Sequence, residues 1–283
     1  MTLLAELLGR CPFPATNALT CAVSGGPDSL ALLALACATG SEVTAVHVDH
    51  GLRPNSAGEA GVVAAAARRL GAFFRSERVV LAEGPNLEAR ARAARYSVLP
   101  LDVLTGHTAD DQAETVLVNL LRGAGLDGLA GMRAGGRRPL LALRRRETVA
   151  LCAELGLVPI EDPSNLDPRF VRNRIRHEAL PLLCEIAGRD LVPVLVRQAE
   201  LLRDDATALD DLVEAIDPRD AAALAAAPPA LARRAVRSLL RAEHPPSAAE
   251  VERVLRVARL EVIACEVSGG RRVSRSSGRL SVD

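Results

Sequence analysis

"CAVSGGPDSLALLAL", residues 21–35, is the stretch that decides the fold. An apolar run from Cys21 to Val23 stops at Ser24, and a second begins at Leu30. Between them stand Ser24, Gly25, Gly26, Pro27, Asp28 and Ser29. Two glycines let the backbone turn sharply and bring its N–H groups close to a guest. Proline suits the first position of a helix, where a missing N–H costs nothing. The N–H groups of the first turn, at the positive end of the helix dipole, then favour a phosphate group. Ser24 and Ser29 add hydroxyl donors. Asp28 repels phosphate unless a cation intervenes, so a Mg²⁺ bridging Asp28 and the phosphates is expected. The simpler alternative is a plain strand-to-helix turn with Asp28 as a favourable first-turn acid. The spacing fits neither the lysine-containing phosphate loop nor the dinucleotide G-x-G-x-x-G pattern.

Outward from this turn, strands and helices alternate. "NALTCAVS" reads as a buried strand and "SLALLALACATG" as a helix closed by Gly40. "EVTAVHVD" and "FFRSERVVL" read as the second and third strands, with an Ala-rich helix from Ser56 between them. "NLEARARAARYSVLP" is a helix with Asn86 as its N-cap and Pro100 as its stop, "LDVLTGH" a fourth strand and "ADDQAETVLVNLLRG" a fourth helix. "RPLLAL" is expected as a fifth strand before the helix "RRRETVALCAELG". This alternation implies an α/β fold, a doubly wound parallel sheet that binds ligands at the carboxyl ends of its strands. Past about residue 178 the pattern turns helical, and the tail "EVIACEVSGGRRVSRSSGRLSVD" alternates around a Gly-Gly turn. Two domains are expected, 1–200 and 201–283, the second small, mainly helical and ending in a β-hairpin.

Composition narrows the classes. About half of the 283 residues are apolar, which supplies a sizeable core and argues against disorder. No uncharged apolar stretch approaches the ~20 residues of a membrane span, and the N-terminus makes a poor signal peptide, so a cytoplasmic protein is expected. The six cysteines form no C-x-x-C pair, which leaves a zinc or iron–sulfur site unsupported. Net charge is zero, yet every basic residue is arginine, and Arg133 to Arg176 carries ten arginines against five acids. No lysine is available as a phosphate ligand or Schiff-base amine.

Several later segments carry chemistry-bearing side chains. In "HVDHGLRPNS" (47–56), alternation puts His47 and Asp49 on one strand face and His50 opposite. A metal cluster would need the strand to end at Asp49; contacts to a nucleotide fit a neighbouring phosphate loop better. In "TGHTADDQAET" (105–115), Asp110 and Glu114 share a helix face, and Asp111 and Glu114 can also converge. Acids at a helix start satisfy the dipole, which explains one or two of them more easily than three beside His107 and Gln112; the functional alternative is that they hold Mg²⁺ or bind an incoming amine. Arg92 and Arg95 fall on one helical face, either a solvated face or a phosphate contact. Arg172, Arg174 and Arg176 in "RNRIR" are spaced by two, so a helix splays them and a strand or turn aligns them into an anion-binding cluster.

Ser-Gly-Gly-Pro-Asp-Ser after a first strand resembles the PP-loop of the N-type ATP pyrophosphatases. With "HVDHGLRPNS", "LEARARAARY", "TGHTADDQAET", "LLRGAGLDGLAGM" and "EDPSNLDPRFVRNRIR", in the same order over about residues 20–180, the chain resembles the tRNA(Ile)-lysidine synthetase family. The resemblance implies an adenine nucleotide alpha hydrolase-like domain and a two-step ligase reaction. The C2 oxygen of the wobble cytidine of a CAU-anticodon tRNA(Ile) attacks the α-phosphorus of ATP, and pyrophosphate leaves. The ε-amine of free L-lysine then displaces AMP at C2, giving lysidine. It implies ATP binding by Ser24, Gly25, Gly26, Pro27, Asp28, Ser29 and His107, and Mg²⁺ on Asp28. It implies catalytic roles for Asp28, Asp49, Asp111 and Glu114, the last two gripping lysine, and tRNA contacts from Arg92, Arg95, Arg172, Arg174, Arg176 and the second domain. A tRNA thiolase of the same superfamily and a non-catalytic nucleotide- and tRNA-binding module are the alternatives. A homodimer is compatible with the chain.

Overall fold

The computed structural model describes residues 2–49, 56–79, 87–160, 162–242 and 246–283. The chain divides into two compact units, Met1–Glu200 and Leu201–Asp283.

The first unit opens with α1 (Leu3–Leu8), β1 (Ala18–Ala22), α2 (Pro27–Cys37), β2 (Glu42–Asp49), α3 (Ser56–Leu70), β3 (Phe73–Arg78), α4 (Leu87–Ser97), β4 (Leu104–Thr105) and α5 (Ala109–Leu121). It continues through α6 (Leu126–Leu129), α7 (Arg145–Glu154), α8 (Val171–Arg174), α9 (Leu180–Ala187) and the start of α10 (Val192–Val213). The strands are all parallel, in the order β3-β2-β1-β4. The chain therefore moves outward from β1 to β3 and then returns to the other side of β1. The switch point lies between β1 and β4, where Cys21 pairs with Leu104 and Ala22 with Thr105. Ligands of such sheets bind at that crevice, and the turns after β1 and β4 both open into it.

Strand alternation sorts the core. Leu19, Cys21, Val43 and Ala45 face the cluster built by α2 and α3, while Val46 packs on the other face with Leu99 and Val103. Helix α2 is buried from Ser29 to Ala36, with Leu30, Leu32, Leu33 and Leu35 fully enclosed. Burial on every side explains why its sequence has no polar stripe, and each leucine contributes about 2 kcal/mol through removal from water. No described helix is long and apolar enough to cross a membrane.

Two sequence expectations change. The "RPLLAL" segment is no strand: Pro139–Ala142 form a 3₁₀ turn. Pro139 has no N–H to give a ladder, and Leu143 N–H bonds to the Leu140 carbonyl instead. Pro139, Leu140, Leu141 and Leu143 are all buried, so the apolar run signals burial without extension. The fourth strand shrinks to two residues because Val103 N–H closes a turn on the Pro100 carbonyl. Asn86, expected to cap α4, lies outside the described residues, as do Val80 and Leu81 of the third-strand segment.

The second unit holds the rest of α10, then α11 (Ala221–Ala226), α12 (Pro229–Leu239), α13 (Ala248–Ala258), β5 (Ala264–Val267), β6 (Arg271–Ser276) and β7 (Arg279–Val282). The expected terminal hairpin is one half of a three-stranded antiparallel sheet, β5-β6-β7. The Gly269–Gly270 turn, read from the sequence, joins β5 to β6. Ser277 and Gly278, both at positive φ (49° and 79°), make the second turn, as a two-residue hairpin loop demands. Arginines on the inner face of β6 cap helices: Arg271 Nη2 donates to the Leu240 carbonyl (3.2 Å) and Arg275 Nη1 to that of Ala258 (2.6 Å).

Candidate active site

The turn after β1 has the shape its residues imply. Gly25 sits at φ 92°, and its carbonyl accepts the Ile160 N–H at 2.9 Å. A Cβ at Gly25 would lie 2.3 Å from Ile160 Cδ1. Gly26 is the N-cap of α2 and Pro27 its first residue, with no side chain capping the helix start. The N–H groups of the first turn are thus left to a guest at the positive end of the dipole. Ser29 is turned inward: its hydroxyl accepts the Gly25 N–H (3.1 Å) and donates to the Gly26 carbonyl (2.9 Å), with Ser24 Oγ 3.3 Å away. Ser29 therefore shapes the loop, and Ser24 is the hydroxyl on its open side.

The turn after β4 closes against this loop. A Cβ on Gly106 would lie 2.7 Å from the Asp28 carbonyl oxygen and 3.1 Å from Ser29 N. Both obstacles are backbone, so neither can rotate away. Gly106→Ala should therefore push the two turns apart. We expect at least about tenfold weaker ATP binding, a loss of about 1.4 kcal/mol, in a variant that still folds. Isothermal calorimetry checks this, and unchanged affinity would mean the turns need not touch.

Next to the loop lies a network of carboxylates and arginines. Asp28 Oδ2 accepts Arg145 Nε at 3.2 Å, and Asp28 Oδ1 accepts the Thr148 hydroxyl. Asp111 uses Oδ2 to cap α5, accepting the Thr108 N–H (2.8 Å) and hydroxyl (2.9 Å), and gives Oδ1 to Arg145 Nη2 at 2.7 Å. Glu114, 1% exposed, accepts a fork from Arg176 (Nε 2.7 Å, Nη2 3.0 Å) and Arg145 Nη1 at 3.2 Å. Asp110 stands apart from this group: it takes a fork from Arg144 (3.1 and 3.0 Å) and the Arg145 backbone N–H at 2.7 Å, which anchors the start of α7.

The electrostatics differ from acid to acid. Burial pushes the Asp28 carboxyl up, and Arg145 and Thr148 offset this only in part. Burial also raises Asp111, but Arg145 and the Thr108 hydrogen bonds outweigh it and hold the carboxyl below the usual range. Burial disfavours the charged Arg145 guanidinium, and Asp111, Asp28 and Glu114 together keep it firmly protonated. Asp111 is suited to anchor a cation and is a poor proton acceptor.

With this crevice in view, the comparisons decide the family. A profile described as a PP-loop domain matches residues 3–183, more than half the chain. A tRNA(Ile)-lysidine synthase from Rhodococcus erythropolis is 48% identical over 235 residues, covering 77% of this chain and 72% of that protein. One from Thermobifida fusca is 41% identical over an alignment of 302 positions, covering 95% of this chain and 92% of that protein. The chain belongs to the tRNA(Ile)-lysidine synthase family. A solved U34-tRNA thiolase from Methanococcus maripaludis, with its [4Fe-4S] cluster, has the same fold at 18% identity (TM-score 0.58, 71% of this chain and 78% of that one).

For this synthase-family chain, the remaining expected positions divide. His107 Nδ1 lies 2.8 Å from Thr105 Oγ1 at the crevice rim. Asp49 ends β2 half-buried, and its carbonyl accepts the Val79 N–H at 2.9 Å. His47 is buried and donates from Nδ1 to the Val23 carbonyl at 3.0 Å, one residue before the loop. That bond steadies the loop's root, whereas His50 lies outside the described residues. No group of three or more His, Cys, Asp or Glu able to hold a metal exists among the described residues.

The "RNRIR" arginines take the helical alternative. Residues 171–179 are helical, α8 running into a π-helical turn (Ile175–Ala179), so Arg172, Arg174 and Arg176 do not align. Arg176 forks onto Glu114; Arg172 lies 3.9 Å from Glu114 and donates to Thr115 Oγ1 at 2.9 Å. Only Arg174 points outward, paired with Glu178 at 3.0 Å. Arg95 is exposed on α4, and the Arg92 side chain lies outside the described residues. Sequence reasoning passed over Arg144, Arg145 and Thr148. Their one signal is "RRRET" (144–148), three adjacent cations at a helix start, where the dipole disfavours them unless carboxylates face them.

Proposed function

We propose that this chain is an ATP-dependent ligase that joins free L-lysine to C2 of the wobble cytidine of CAU-anticodon tRNA(Ile), forming lysidine, AMP and pyrophosphate in the cytoplasm. One observation carries the reading: the amide-lined turn after β1 abuts the acid-bearing start of α5 across the β1–β4 switch point, bringing a phosphate cradle beside a cation-binding wall. The first-turn N–H groups and Ser24 bind the β- and γ-phosphates and stabilise the departing pyrophosphate as its charge grows. Asp111 and Glu114 hold the lysine amine, His107 and Asp49 border the nucleotide, and the exposed Arg95 and Arg174 meet tRNA phosphates, joined by Arg92. Thirteen arginines balance thirteen acids in Leu201–Asp283. In this reading that unit binds tRNA through placement of its arginines and not through net charge.

Magnesium accompanies the nucleotide in this reading and supplies charge neutralisation at the phosphates. Asp28 is the loop carboxylate suited to it. Both Asp28 oxygens already face Arg145 and Thr148, so the ion would be held chiefly by the phosphates, as Mg²⁺ commonly is.

The test supplies the full chain with ATP, radiolabelled lysine and a CAU-anticodon tRNA(Ile) transcript. Lysine is expected to enter the tRNA with one AMP and one pyrophosphate released per lysine. Pyrophosphate release without lysine incorporation, or sulfur transfer in its place, would sink the assignment.

A further inference from the structure

Three carboxylates serving different parts of the proposed reaction converge on one guanidinium. Arg145 gives each of its nitrogens to a separate acid: Nε to Asp28 on the phosphate loop, Nη2 to Asp111 and Nη1 to Glu114 on α5, at 3.2, 2.7 and 3.2 Å. Its backbone is fixed independently through its N–H on Asp110, and neighbouring Arg144 forks onto the same carboxylate. One turn on, Thr148 bonds both the Arg145 carbonyl (2.7 Å) and Asp28. Helix α7 is thus anchored on α5 and reaches into the crevice with a cation of fixed direction.

We propose that Arg145 is a positioning residue that locks the phosphate loop to the amine-binding acids and neutralises Asp28 where the nucleotide phosphates arrive. The inference rests on the function proposed above. Without this guanidinium Asp28 keeps only Thr148, and Asp111 keeps Arg176 at 3.5 Å together with its Thr108 cap. Asp28 then repels incoming phosphate, and the loop loses its tie to α5. Lysine cannot substitute, because an ammonium is a point charge and cannot offer three donors in one plane to three acids.

The experiment uses full-length Arg145→Ala and Arg145→Lys. ATP affinity is measured by calorimetry at fixed Mg²⁺, and lysidine formation in single turnover. Both are repeated with tens of millimolar guanidinium chloride or with equal sodium chloride. Arg145→Ala is expected to bind ATP at least about tenfold more weakly and to form lysidine at least about a hundredfold more slowly. Guanidinium should recover about tenfold of each loss and sodium chloride none, a rescue that a merely structural arginine would not allow. Arg145→Lys should stay impaired. Values within about threefold of wild type, or guanidinium acting no better than sodium chloride, would overturn the proposal. If circular dichroism finds the alanine variant unfolded, the lysine variant decides: wild-type affinity and rate overturn the proposal, and a folded, impaired protein supports it. A wild-type protein that binds ATP but makes no lysidine would refute the reaction, while the affinity measurements would still judge Arg145. A wild-type protein that binds no ATP would overturn both.

Discussion

Asp28→Ala should reduce lysidine formation by at least about a hundredfold, the usual effect of removing a preorganised charged group from a phosphoryl-transfer site, while the protein stays folded and still binds tRNA. Asp28 is the only carboxylate on the phosphate loop, and its two oxygens orient Arg145 and Thr148. Removing it lets Arg145 drift toward the phosphates and deprives any nucleotide-borne metal ion of its loop ligand. Stability should barely change. A folded-state pKa raised above the unfolded value means that ionised Asp28 disfavours folding: its favourable share is present at low pH and is lost as pH rises through the shifted value. At neutral pH little remains to lose. The check is paired: single-turnover lysidine formation for rate, filter binding for tRNA. A variant turning over at the wild-type rate would remove the loop carboxylate from the mechanism.

That loop was legible because its residues signal their backbone. Gly25 takes a φ of 92° that other residues avoid, and Pro27 has a fixed φ that suits a helix start, so "SGGPDS" marks its turn locally. The acids of α5 were legible for the same reason, being three and four apart on a helix with a capping box at Thr108. What stayed hidden depends on tertiary partners. Spacing by two in "RNRIR" is compatible with a strand or a helix. Only the helix sends Arg172 and Arg176, four apart, toward Glu114 and leaves Arg174 outside. In the same way "RRRET" reads as a charged helix start until Asp110 takes Arg144, and Asp28, Asp111 and Glu114 take Arg145. The basic excess from Arg133 to Arg176 is thus partly an internal counter-charge for the site's own carboxylates. The "RPLLAL" stretch fails as a strand because four leucine and proline side chains can be buried by a tight turn as well as by extension.

Glu114→Ala should be the costliest of the site substitutions for stability. Unlike Asp28, Glu114 is enclosed, and it is the acceptor of a two-pronged bond from Arg176 and a third bond from Arg145. Deleting it leaves the Arg145 and Arg176 guanidinium groups facing each other, with Arg172 close by and Asp111 and Asp28 as the remaining anions. Breaking a buried pair in this way costs about 3–5 kcal/mol. The lower end applies here, because Arg145 and Arg176 keep 25% and 23% of their side-chain surface in contact with solvent. About 3 kcal/mol corresponds to a fall of roughly 6–12 °C in the melting of the first unit. Glu114→Gln should lose less, since one oxygen still accepts a bond. Glu114→Ala combined with Arg176→Ala should recover part of the fall, because the second change removes the orphaned charge created by the first. Acid should act on the same network. Asp110 and Asp111 both have carboxyls held below their unfolded values, so their stabilisation is complete above about pH 4 and is lost as pH falls through the depressed values. Differential scanning calorimetry of the four proteins between pH 3 and pH 7 provides the measurement. A single Glu114→Ala melting within 2 °C of wild type, or a double variant no better than the single, would mean that the arginines find other partners and that Glu114 is not what holds this network together.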